Sequence, residues 1–452
     1  MKNQPLTVFS PKKRNMYLQQ GYHLTYCTNI HPGESWEEVF TNLESYFPPL
    51  KKELSPDKPF GIGLRLSNLA SEQLLEGNQL QEFKSWLHEQ GLYVFTMNGF
   101  PYGGFHNQEV KDRVHFPDWA TEERVAYTIR LAQIMAELLP EGMEGGISTS
   151  PLSYKPWLRE ADEQKMKSVF THAAQHLVQV VEALHQIKTQ TGKTIHLDIE
   201  PEPDGLLENS KEVIKFYKEW LQPIGADKLQ ESLGLTKDDA VEAIYTYVQL
   251  CYDVCHFALA YEKPQEAFAK LKHAGIRIGK IQLSAALKAE LPQDVETRAE
   301  LSEAMAMFAE STYLHQVVEK DKEGELTQYP DLTFALQHIR KPNAVEWRTH
   351  FHVPLFTQEY NGLQSTQEDV AEVLRLLQQN NVTQHLEVET YTWDVLPLDL
   401  KKDLSLSIQR ELEWVIETIN KKHDAEDRSA EHRGANEIPD RQAHTAPGQM
   451  GS

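Results

Sequence analysis

The chain has 452 residues, a formal net charge of −22 and three cysteines. This acidic balance argues against nucleic-acid binding, which needs a basic face that displaces counterions from phosphates. The longest apolar runs are too short to cross a bilayer, and the first residues contain no apolar stretch of signal-peptide length. Three cysteines in so long a chain do not indicate a disulfide framework, so we expect a soluble, cytoplasmic protein.

Short apolar segments alternate with longer segments of helical periodicity along most of the chain. Helical segments such as 80–90 end at a glycine directly before the next apolar segment. Eight repeats of this unit predict a parallel sheet closed into a (β/α)8 TIM barrel. No G-x-G-x-x-G or P-loop motif follows the first strand to favour a nucleotide-binding open sheet. The predicted strands are 22–28, 60–66, 92–97, 146–149, 194–199, 248–254, 278–283 and 386–390.

The connection between predicted strands seven and eight is unusually long, at roughly a hundred residues. It contains a predicted helix at 295–309, a predicted hairpin of 313–318 and 325–329, and an extended segment at 347–354. A long insertion of this kind is usually a lid or a wall of the active site. We expect one barrel domain over 16–420, an N-terminal tail over 1–15 and a disordered C-terminal tail over 421–452, where the periodic apolar pattern ends.

Acidic side chains lie near the ends of predicted strands five, six and eight. Asp198 and Glu200 share one face of strand five, and Glu387 and Glu389 share one face of strand eight. Buried carboxylates without a partner are costly, so these groups should hold a metal ion or another cation, unless they are structural capping or salt-bridged acids. Barrel active sites lie at the carboxyl ends of the strands. We therefore predict that Glu200 and Glu389 are catalytic carboxylates, and that Asp253 at the end of strand six is a further ligand.

The remaining candidate ligands are imidazole and amide groups. His256 follows Asp253 by three residues, so both can bind one ion, or one can bind it while the other contacts substrate. Gln282 in strand seven is a ligand, a substrate contact or a satisfied core amide. His350 and His352 alternate in an extended segment, and their spacing makes a good chelate. Mixed oxygen and nitrogen donors suit Mn, Mg, Zn or Fe, so we expect one such divalent metal as the cofactor.

Further polar and aromatic residues are predicted to surround the mouth of the barrel. Such a lining fits a small polyol, a glycoside or an aromatic polyol. Two of these residues have a structural alternative, because Arg65 can pair with an acid and Trp393 can be a packing residue. The residues assigned to substrate binding are Asn29, His31, Arg65, Asn98, His106, His350 and Trp393, with Tyr102 and Tyr391 beside them.

The order of the candidate ligands resembles the xylose isomerase-like TIM-barrel superfamily, which includes sugar epimerases and metal-dependent apurinic endonucleases. The resemblance implies that Glu200 and Glu389 bind the metal and move protons at a carbon next to a carbonyl. It also implies that Asp253 is the third ligand and that His256 acts at the substrate. Gln282 stands where this superfamily has a histidine ligand. The net charge of −22 argues against the endonuclease activity.

Longer segments resemble the EboE family of metabolite traffic proteins, over roughly residues 20 to 420. They are HLTYCTNIHPGESW at 23–36, MNGFPYGGFH at 97–106 and RTHFHVP at 348–354. This resemblance implies a role in secondary metabolism. It leaves open an isomerase or epimerase and a non-catalytic carrier of a pathway intermediate. We expect a small-molecule metabolite as partner, no nucleic acid and no membrane insertion, and leave open a homo-oligomer or other proteins of the same pathway.

Overall fold

The computed structural model describes residues 18, 21–106, 109–397, 401 and 403–421. Apart from Lys421, the tails predicted at 1–15 and 421–452 lie outside these residues. The strands of the described part are β1 (His23–Tyr26), β2 (Phe60–Arg65), β3 (Leu92–Asn98), β4 (Gly145–Thr149), β5 (Ile195–Ile199), β6 (Val248–Asp253), β7 (Ile278–Leu283), β8 (Ala285–Glu290), β9 (Val317–Asp321), β10 (Leu326–Tyr329), β11 (Ala344–Val353), β12 (Glu359–Tyr360), β13 (Leu363–Ser365) and β14 (His385–Val388).

Helices follow most of the strands. The α-helices of the described part are α1 (Trp36–Leu54), α2 (Asn68–Leu74), α3 (Gln79–Gln90), α4 (Glu122–Leu138), α5 (Glu163–Thr191), α6 (Ser210–Phe216), α7 (Gln222–Leu233), α8 (Lys237–Tyr247), α9 (Val254–Leu259), α10 (Pro264–His273), α11 (Arg298–Ala306), α12 (Leu332–Leu336), α13 (Gln367–Gln379) and α14 (Leu404–Ile419). The shorter helices are Thr28–Ile30, Lys111–His115, Lys155–Leu158, Val295–Thr297 and Tyr391–Val395, and Tyr217–Leu221 is a π-helical turn. None of the described helices is long and apolar enough to span a membrane.

Eight parallel strands form the barrel, in the order β1-β14-β7-β6-β5-β4-β3-β2. These are the eight predicted strands, each within two residues of its predicted bounds, so the (β/α)8 prediction is confirmed. A bridge between Cys27 and Gly63 joins β1 to β2. Hydroxyl groups supplement this short contact: Gly63 N donates to Thr25 Oγ1 at 3.1 Å, and Arg65 N donates to Thr28 Oγ1 at 2.8 Å.

The apolar faces of the helices cover the outside of the barrel. Helix α1 shows how the sequence starts such a helix and buries its apolar face. Ser35 and Glu38 form a capping box that satisfies the first amide groups of α1. Leu43 and Phe47, four residues apart, are both buried. The ring of Phe47 stacks on Tyr26 of β1 with their centroids 5.0 Å apart. Burial of each such side chain contributes about 1.5–3 kcal/mol to folding.

The insertion between β7 and β14 forms a second sheet, with six antiparallel strands in the order β10-β9-β11-β8-β13-β12. Strand β8 begins two residues after β7 ends, so the chain passes directly from the barrel into this sheet. The predicted hairpin is present as β9 and β10, although β9 begins four residues later than the predicted 313–318. The predicted helix is present as the shorter α11. Strand β11 pairs with β8 and has an irregularity between Thr349 and His352. The second sheet therefore carries the extended His350–His352 segment.

Charged side chains fill part of the barrel interior. Lys280 Nζ lies 2.5 Å from Glu387 Oε2, and both side chains are fully buried. His196 Nδ1 lies 2.7 Å from Asp198 Oδ1, and these two are also buried. The groups are paired because an isolated charge in this environment would be very costly. Their size leaves no room for a side chain at Gly279.

Gly279→Ala is expected to lower the free energy of unfolding by about 1–3 kcal/mol, the usual effect of overpacking. A Cβ at this position would lie 2.0 Å from Asp198 Oδ1 and 2.6 Å from His196 Nδ1. Urea unfolding followed by far-UV circular dichroism measures the change. Gly103→Ala is the matched control, because a Cβ there meets no heavy atom within 4 Å. Equal free energies of unfolding of the two variants would contradict the conclusion that the buried side chains leave no room for a Cβ at Gly279.

Candidate metal centre

Three carboxylates meet at the carboxyl ends of barrel strands. Glu200 directly follows β5, Asp253 is the last residue of β6, and Glu389 directly follows β14. All three side chains are buried, and each offers a carboxylate oxygen within 4.8 Å of the other two. The strand ends therefore place together three groups that the sequence separates by almost two hundred residues.

Hydrogen bonds hold one oxygen of Asp253 and leave the other free. Asp253 Oδ1 accepts from Ser284 Oγ at 2.7 Å and from the backbone N of His256 at 3.1 Å. The second bond makes Asp253 the N-cap of α9. Asp253 Oδ2 and Glu200 Oε2 are buried without a hydrogen-bond partner among the described residues. Two carboxylate oxygens in the cluster are thus available to a cation.

Two amide side chains fix the orientation of Glu389. Asn29 Nδ2 and Asn98 Nδ2 both donate to Glu389 Oε1, at 2.8 Å and 3.1 Å. The Asn98 Oδ1 atom accepts from the backbone N of Phe100, which sets the rotation of that amide. Both asparagines were predicted at the mouth of the barrel. The structure places them in contact with one of the predicted catalytic carboxylates.

His352 brings an imidazole from β11 to the same cluster. His352 Nδ1 lies 2.8 Å from the carbonyl oxygen of Glu389, so the proton is on Nδ1 and Nε2 carries a lone pair. That Nε2 atom is buried without a partner among the described residues. Burial lowers the pKa of His352 to about 4, which keeps the ring neutral and suited to bind a metal.

Gln282 of β7 is the predicted amide ligand, and its side-chain oxygen makes a hydrogen bond with a neighbouring strand. Its Oε1 accepts a hydrogen bond from Cys251 Sγ at 2.9 Å, and the side chain is fully buried. His352, which lies about seventy residues later in the chain, offers a ring nitrogen within 4.8 Å of an oxygen of Asp253.

The carboxylates of the cluster hold protons more tightly than isolated acids do. Burial and the neighbouring charge of Asp253 raise the pKa of Glu200 well above its usual range. Burial and the charge of Glu200 raise the pKa of Glu389 in the same way. Because these shifts come from lost hydration and like-charge repulsion, a bound divalent cation would offset both causes.

Several predicted substrate residues lie elsewhere. His31 Nε2 contacts the Tyr26 hydroxyl at 2.9 Å, away from the cluster. Arg65 pairs with Glu34 at 3.0 Å, in agreement with its structural alternative. Trp393 is buried and packs near Phe356, with ring centroids 6.4 Å apart.

His106, by contrast, contacts a residue of the site, with its Nε2 2.5 Å from the carbonyl oxygen of Asn29. Tyr102 packs edge-on against Tyr127, with ring centroids 5.1 Å apart, and does not line the cavity above the carboxylates. His106 therefore positions the backbone that carries one amide contact to Glu389.

A cavity next to the carboxylates is lined by both polar and apolar side chains. Its polar lining includes Glu200, Glu389, His256 and His350. Tyr391, which is predicted to lie at the mouth of the barrel, also lines the cavity. The lining residues that the sequence did not single out are Phe100, Pro101, Phe105, Val110, Lys111, Val114, His115, Glu202, Tyr313, Leu314 and Gln316. Of these, Glu202 had a usable signal, since it follows Glu200 by two residues at a strand end.

Glu411 of α14 supports the site from outside. Its Oε1 accepts from Thr390 Oγ1 at 2.7 Å, next to Glu389, and from the backbone N of Leu355 at 3.0 Å. Burial raises the pKa of Glu411 from 4.5 to about 7. A raised carboxyl pKa favours folding when the group is protonated. This contribution is complete below about pH 4.5 and is lost as the pH rises through about 7.

Glu411→Gln is therefore expected to remove a pH dependence of stability. Between pH 4.5 and pH values above 7, the wild type should lose about 3 kcal/mol relative to the variant, at about 1.4 kcal/mol per unit of pKa shift. Urea unfolding at a series of pH values measures this difference. Ser405→Ala, at a position of the same helix without a titrating side chain, is the control and should leave the pH dependence unchanged. If the free energy of unfolding of Glu411→Gln depended on pH as that of the wild type does, the raised pKa would not belong to Glu411.

Several solved structures are similar to this chain in fold. A xylose isomerase-like TIM barrel protein from Mycobacterium smegmatis in complex with magnesium is 11% identical, covers 88% of this chain and 96% of its own, and has a TM-score of 0.46. An L-ribulose 3-epimerase is 11% identical over 92% of this chain and 99% of its own, with a TM-score of 0.42.

A third similar structure is the IOLI protein with a bound zinc atom. It is 11% identical over 89% of this chain and 99% of its own, with a TM-score of 0.40. No protein-family model matches the sequence, and no curated protein matches it. The barrel assignment rests on the strand order and register of the chain itself.

Proposed function

We propose that the chain is a metal-dependent isomerase or epimerase that acts on a small polyol or a sugar-like metabolite. One observation carries the proposal: Glu200 Oε2, Asp253 Oδ2 and His352 Nε2 are buried without hydrogen-bond partners among the described residues, and Asp253 has ligand atoms within 4.8 Å of those of Glu200 and of those of His352. Buried polar atoms are costly when unpaired, so a cluster of three needs a ligand. A divalent cation satisfies all three at once.

The donor set fits a divalent metal. Glu200, Asp253 and Glu389 would supply oxygen ligands, and His352 would supply one nitrogen ligand. This combination suits Mn, Mg, Zn or Fe. Ser284 and the backbone carbonyl of Glu389 orient Asp253 and His352, as outer contacts of metal ligands commonly do. When bound, such an ion polarises a carbonyl or hydroxyl oxygen of the substrate.

The two glutamates would exchange protons with the substrate. Their raised pKa values bring them closer to the working range of general acids and bases than free glutamates are. Glu200 lies on one side of the cluster and Glu389 on the other side of Asp253 in strand order. One would take a proton from a carbon next to the carbonyl while the other returns it. Asn29 and Asn98 would hold Glu389 in position during this transfer.

A second candidate function is a carrier that binds a metabolite without converting it, as the resemblance to EboE proteins implies. The contacts of Glu389 favour this alternative, because two amide donors already occupy its Oε1 atom. A group that is held so firmly can serve as a ligand without moving protons. In both cases the ligand would be a small product or precursor of secondary metabolism, and the apolar walls of the cavity would contact its carbon skeleton.

Exchange of carbon-bound hydrogen with solvent tests the proposal. A panel of sugars and polyols is incubated in D₂O with metal-loaded protein, and loss of C–H signal is followed by NMR. We expect exchange with at least one compound, slowed about 10²–10⁴-fold by Glu200→Gln and by Glu389→Gln. Glu137→Gln, an exposed glutamate that pairs with Lys84, is the control and should keep the full rate. Full exchange in both site variants would refute the mechanism, and binding without exchange would favour the carrier.

A further inference from the structure

We propose that a cleft at the amino ends of the barrel strands binds the ammonium group of an organic amine. The cleft has a volume of about 940 Å³, and its lining includes His196, the second residue of β5, and His385, the first residue of β14. Glu200 and Glu389 follow the other ends of these two strands, so the cleft and the carboxylate centre lie at opposite ends of the barrel. The proposal concerns binding alone and does not depend on the isomerase reaction.

A carboxylate fixes one imidazole of the cleft. His196 Nδ1 lies 2.7 Å from Asp198 Oδ1, and both side chains are buried. A carboxylate oxygen accepts, so Nδ1 donates to it. The other ring nitrogen, Nε2, makes no hydrogen bond with a described residue. In the neutral ring, this Nε2 atom is an acceptor for a donor that enters the cleft.

Two further acceptors line the cleft. Gln249 is buried, and its Nε2 donates to the carbonyl oxygen of Thr246 at 2.9 Å. This bond sets the rotation of the amide and leaves Oε1 as its acceptor. Glu144 adds an exposed carboxylate. An ammonium group carries three N–H donors, which matches the three acceptors of His196, Gln249 and Glu144.

The barrel interior next to the cleft has an excess of acceptors. Asp198 Oδ2 and His385 Nδ1 are buried without partners among the described residues, and a Cβ at Gly146 would lie 2.7 Å and 3.0 Å from them. His385 Nε2 lies 3.1 Å from the carbonyl oxygen of Glu144, so Nε2 donates and Nδ1 carries a lone pair. Burial and the charge of His196 lower the pKa of His385 well below its usual range, so His385 is a neutral ring.

Asp198 favours a positive charge at this end of the barrel. Burial alone would lower the pKa of His196, but the charge of Asp198 and the hydrogen bond to it raise this pKa above its usual value. A proton on the ring and an ammonium ligand beside it are two ways to supply that charge. Of the two cationic residues that line the cleft, Arg277 is already paired with Glu242 at 2.6 Å, and Lys272 is exposed on α10.

An organic amine suits this cleft better than a metal ion. Among the described residues, no choice of one ligand atom each from His196, Asp198 and His385 brings all three within 4.8 Å of one another. The lining also contains apolar side chains, such as Phe268 of α10 and Leu376 of α13, which can contact a carbon skeleton. The amino-terminal face of a barrel ordinarily serves stability and not catalysis, so we expect the amine to be bound and not converted.

Binding of benzylammonium tests the site. Full-length protein is titrated at neutral pH by isothermal calorimetry, with benzyl alcohol as the uncharged match and benzoate as the anionic match. We expect benzylammonium to bind most tightly and benzoate least tightly. Asp198→Asn keeps an acceptor for His196 Nδ1 and removes the charge, so it should weaken binding of benzylammonium by at least about 10-fold. Glu144→Gln, at an exposed position, should weaken it by about 2–5-fold.

Two control variants locate the bound amine. Glu141→Gln, an exposed glutamate that pairs with Lys193 at 3.6 Å and does not line the cleft, should keep the wild-type affinity. Asp253→Asn changes the opposite end of the barrel and should keep it as well. Thermal unfolding checks the fold of each variant. Because Glu144 is exposed, its variant still tests the site if Asp198→Asn does not fold.

Several results would overturn the proposal. They are no measurable binding of benzylammonium, equal or tighter binding of benzyl alcohol or benzoate, and an affinity unchanged by both Asp198→Asn and Glu144→Gln. An affinity that falls only in Asp253→Asn would place the amine at the carboxylate centre and would also rule out the cleft. None of these results bears on the isomerase, which is tested by hydrogen exchange on sugars and polyols at the other end of the barrel.

Discussion

Asp253→Asn is expected to weaken binding of Mn²⁺ to the chain by at least about 100-fold, while the fold is kept. The asparagine Oδ1 can still accept from Ser284 and from the backbone of His256, so the cap of α9 survives. The free Oδ2 atom, by contrast, becomes an uncharged NH₂ group that cannot bind a cation. Equilibrium dialysis with metal analysis measures the affinity, and thermal unfolding of the metal-free protein checks the fold.

Ser284→Ala provides a graded comparison for this prediction. It removes one hydrogen bond to Asp253 Oδ1 and leaves the charged oxygen in place. Loss of such a supporting contact usually weakens metal binding by about 10–100-fold. We therefore expect an affinity between those of the wild type and Asp253→Asn. Equal affinities in all three proteins would show that these strand-end carboxylates are hydrogen-bonding groups and not ligands.

Lys280→Met is expected to lower the free energy of unfolding by about 3–5 kcal/mol, the usual effect of breaking a buried ion pair. Lys280 Nζ lies 2.5 Å from Glu387 Oε2 and 3.3 Å from Ser148 Oγ, and neither Lys280 nor Glu387 is exposed. Removal of the ammonium group leaves the carboxylate of Glu387 in the barrel interior without its compensating charge. Urea unfolding at neutral pH measures the loss.

A second substitution separates the charge effect from the change in shape. Lys280→Met combined with Glu387→Gln removes both charges and should recover a large part of the lost stability, since the uncompensated charge is gone. If the double variant is as unstable as Lys280→Met alone, the lost free energy of unfolding comes from altered packing and not from the uncompensated charge. A single variant as stable as the wild type would contradict the importance of the ion pair.

The barrel was predictable because its signals are local and repeated. Each strand is a short apolar run, and helices such as α3 end at a glycine that adopts a left-handed conformation, as Gly91 does with φ 65°. These features do not depend on distant parts of the chain. The second sheet was predicted only in part, because β8 contains Lys288 in its centre and lacks a clear apolar run.

One missed hairpin in the second sheet did have a sequence signal. Asn361 and Gly362 separate β12 from β13, and both have positive φ, at 48° and 79°. An Asn-Gly pair between short extended segments is typical of a two-residue hairpin. The strands themselves are only two and three residues long, so periodicity could not indicate them.

The site was predictable where its residues end barrel strands. Glu200, Asp253 and Glu389 follow from the rule that barrel active sites lie at strand ends, and the structure brings all three together. The same rule could not decide the role of Gln282. Its hydrogen-bond partner Cys251 lies on another strand, and the sequence does not show which side chains of two strands meet. Lys280 was missed although it shares a face of β7 with Gln282, a charged residue inside an apolar strand.

The origin of His352 in the second sheet constrains how this protein can change over evolution. Three carboxylates belong to the barrel, whereas the imidazoles of His350 and His352 belong to β11. The sequence of an insertion ordinarily diverges freely. Here, β11 must keep its position relative to the barrel, because its histidines lie beside the barrel carboxylates. Exchange of this segment between relatives would be tolerated only when the returning strand preserves the two histidines and their spacing. The insertion and the barrel are therefore expected to diverge together, as one inherited unit.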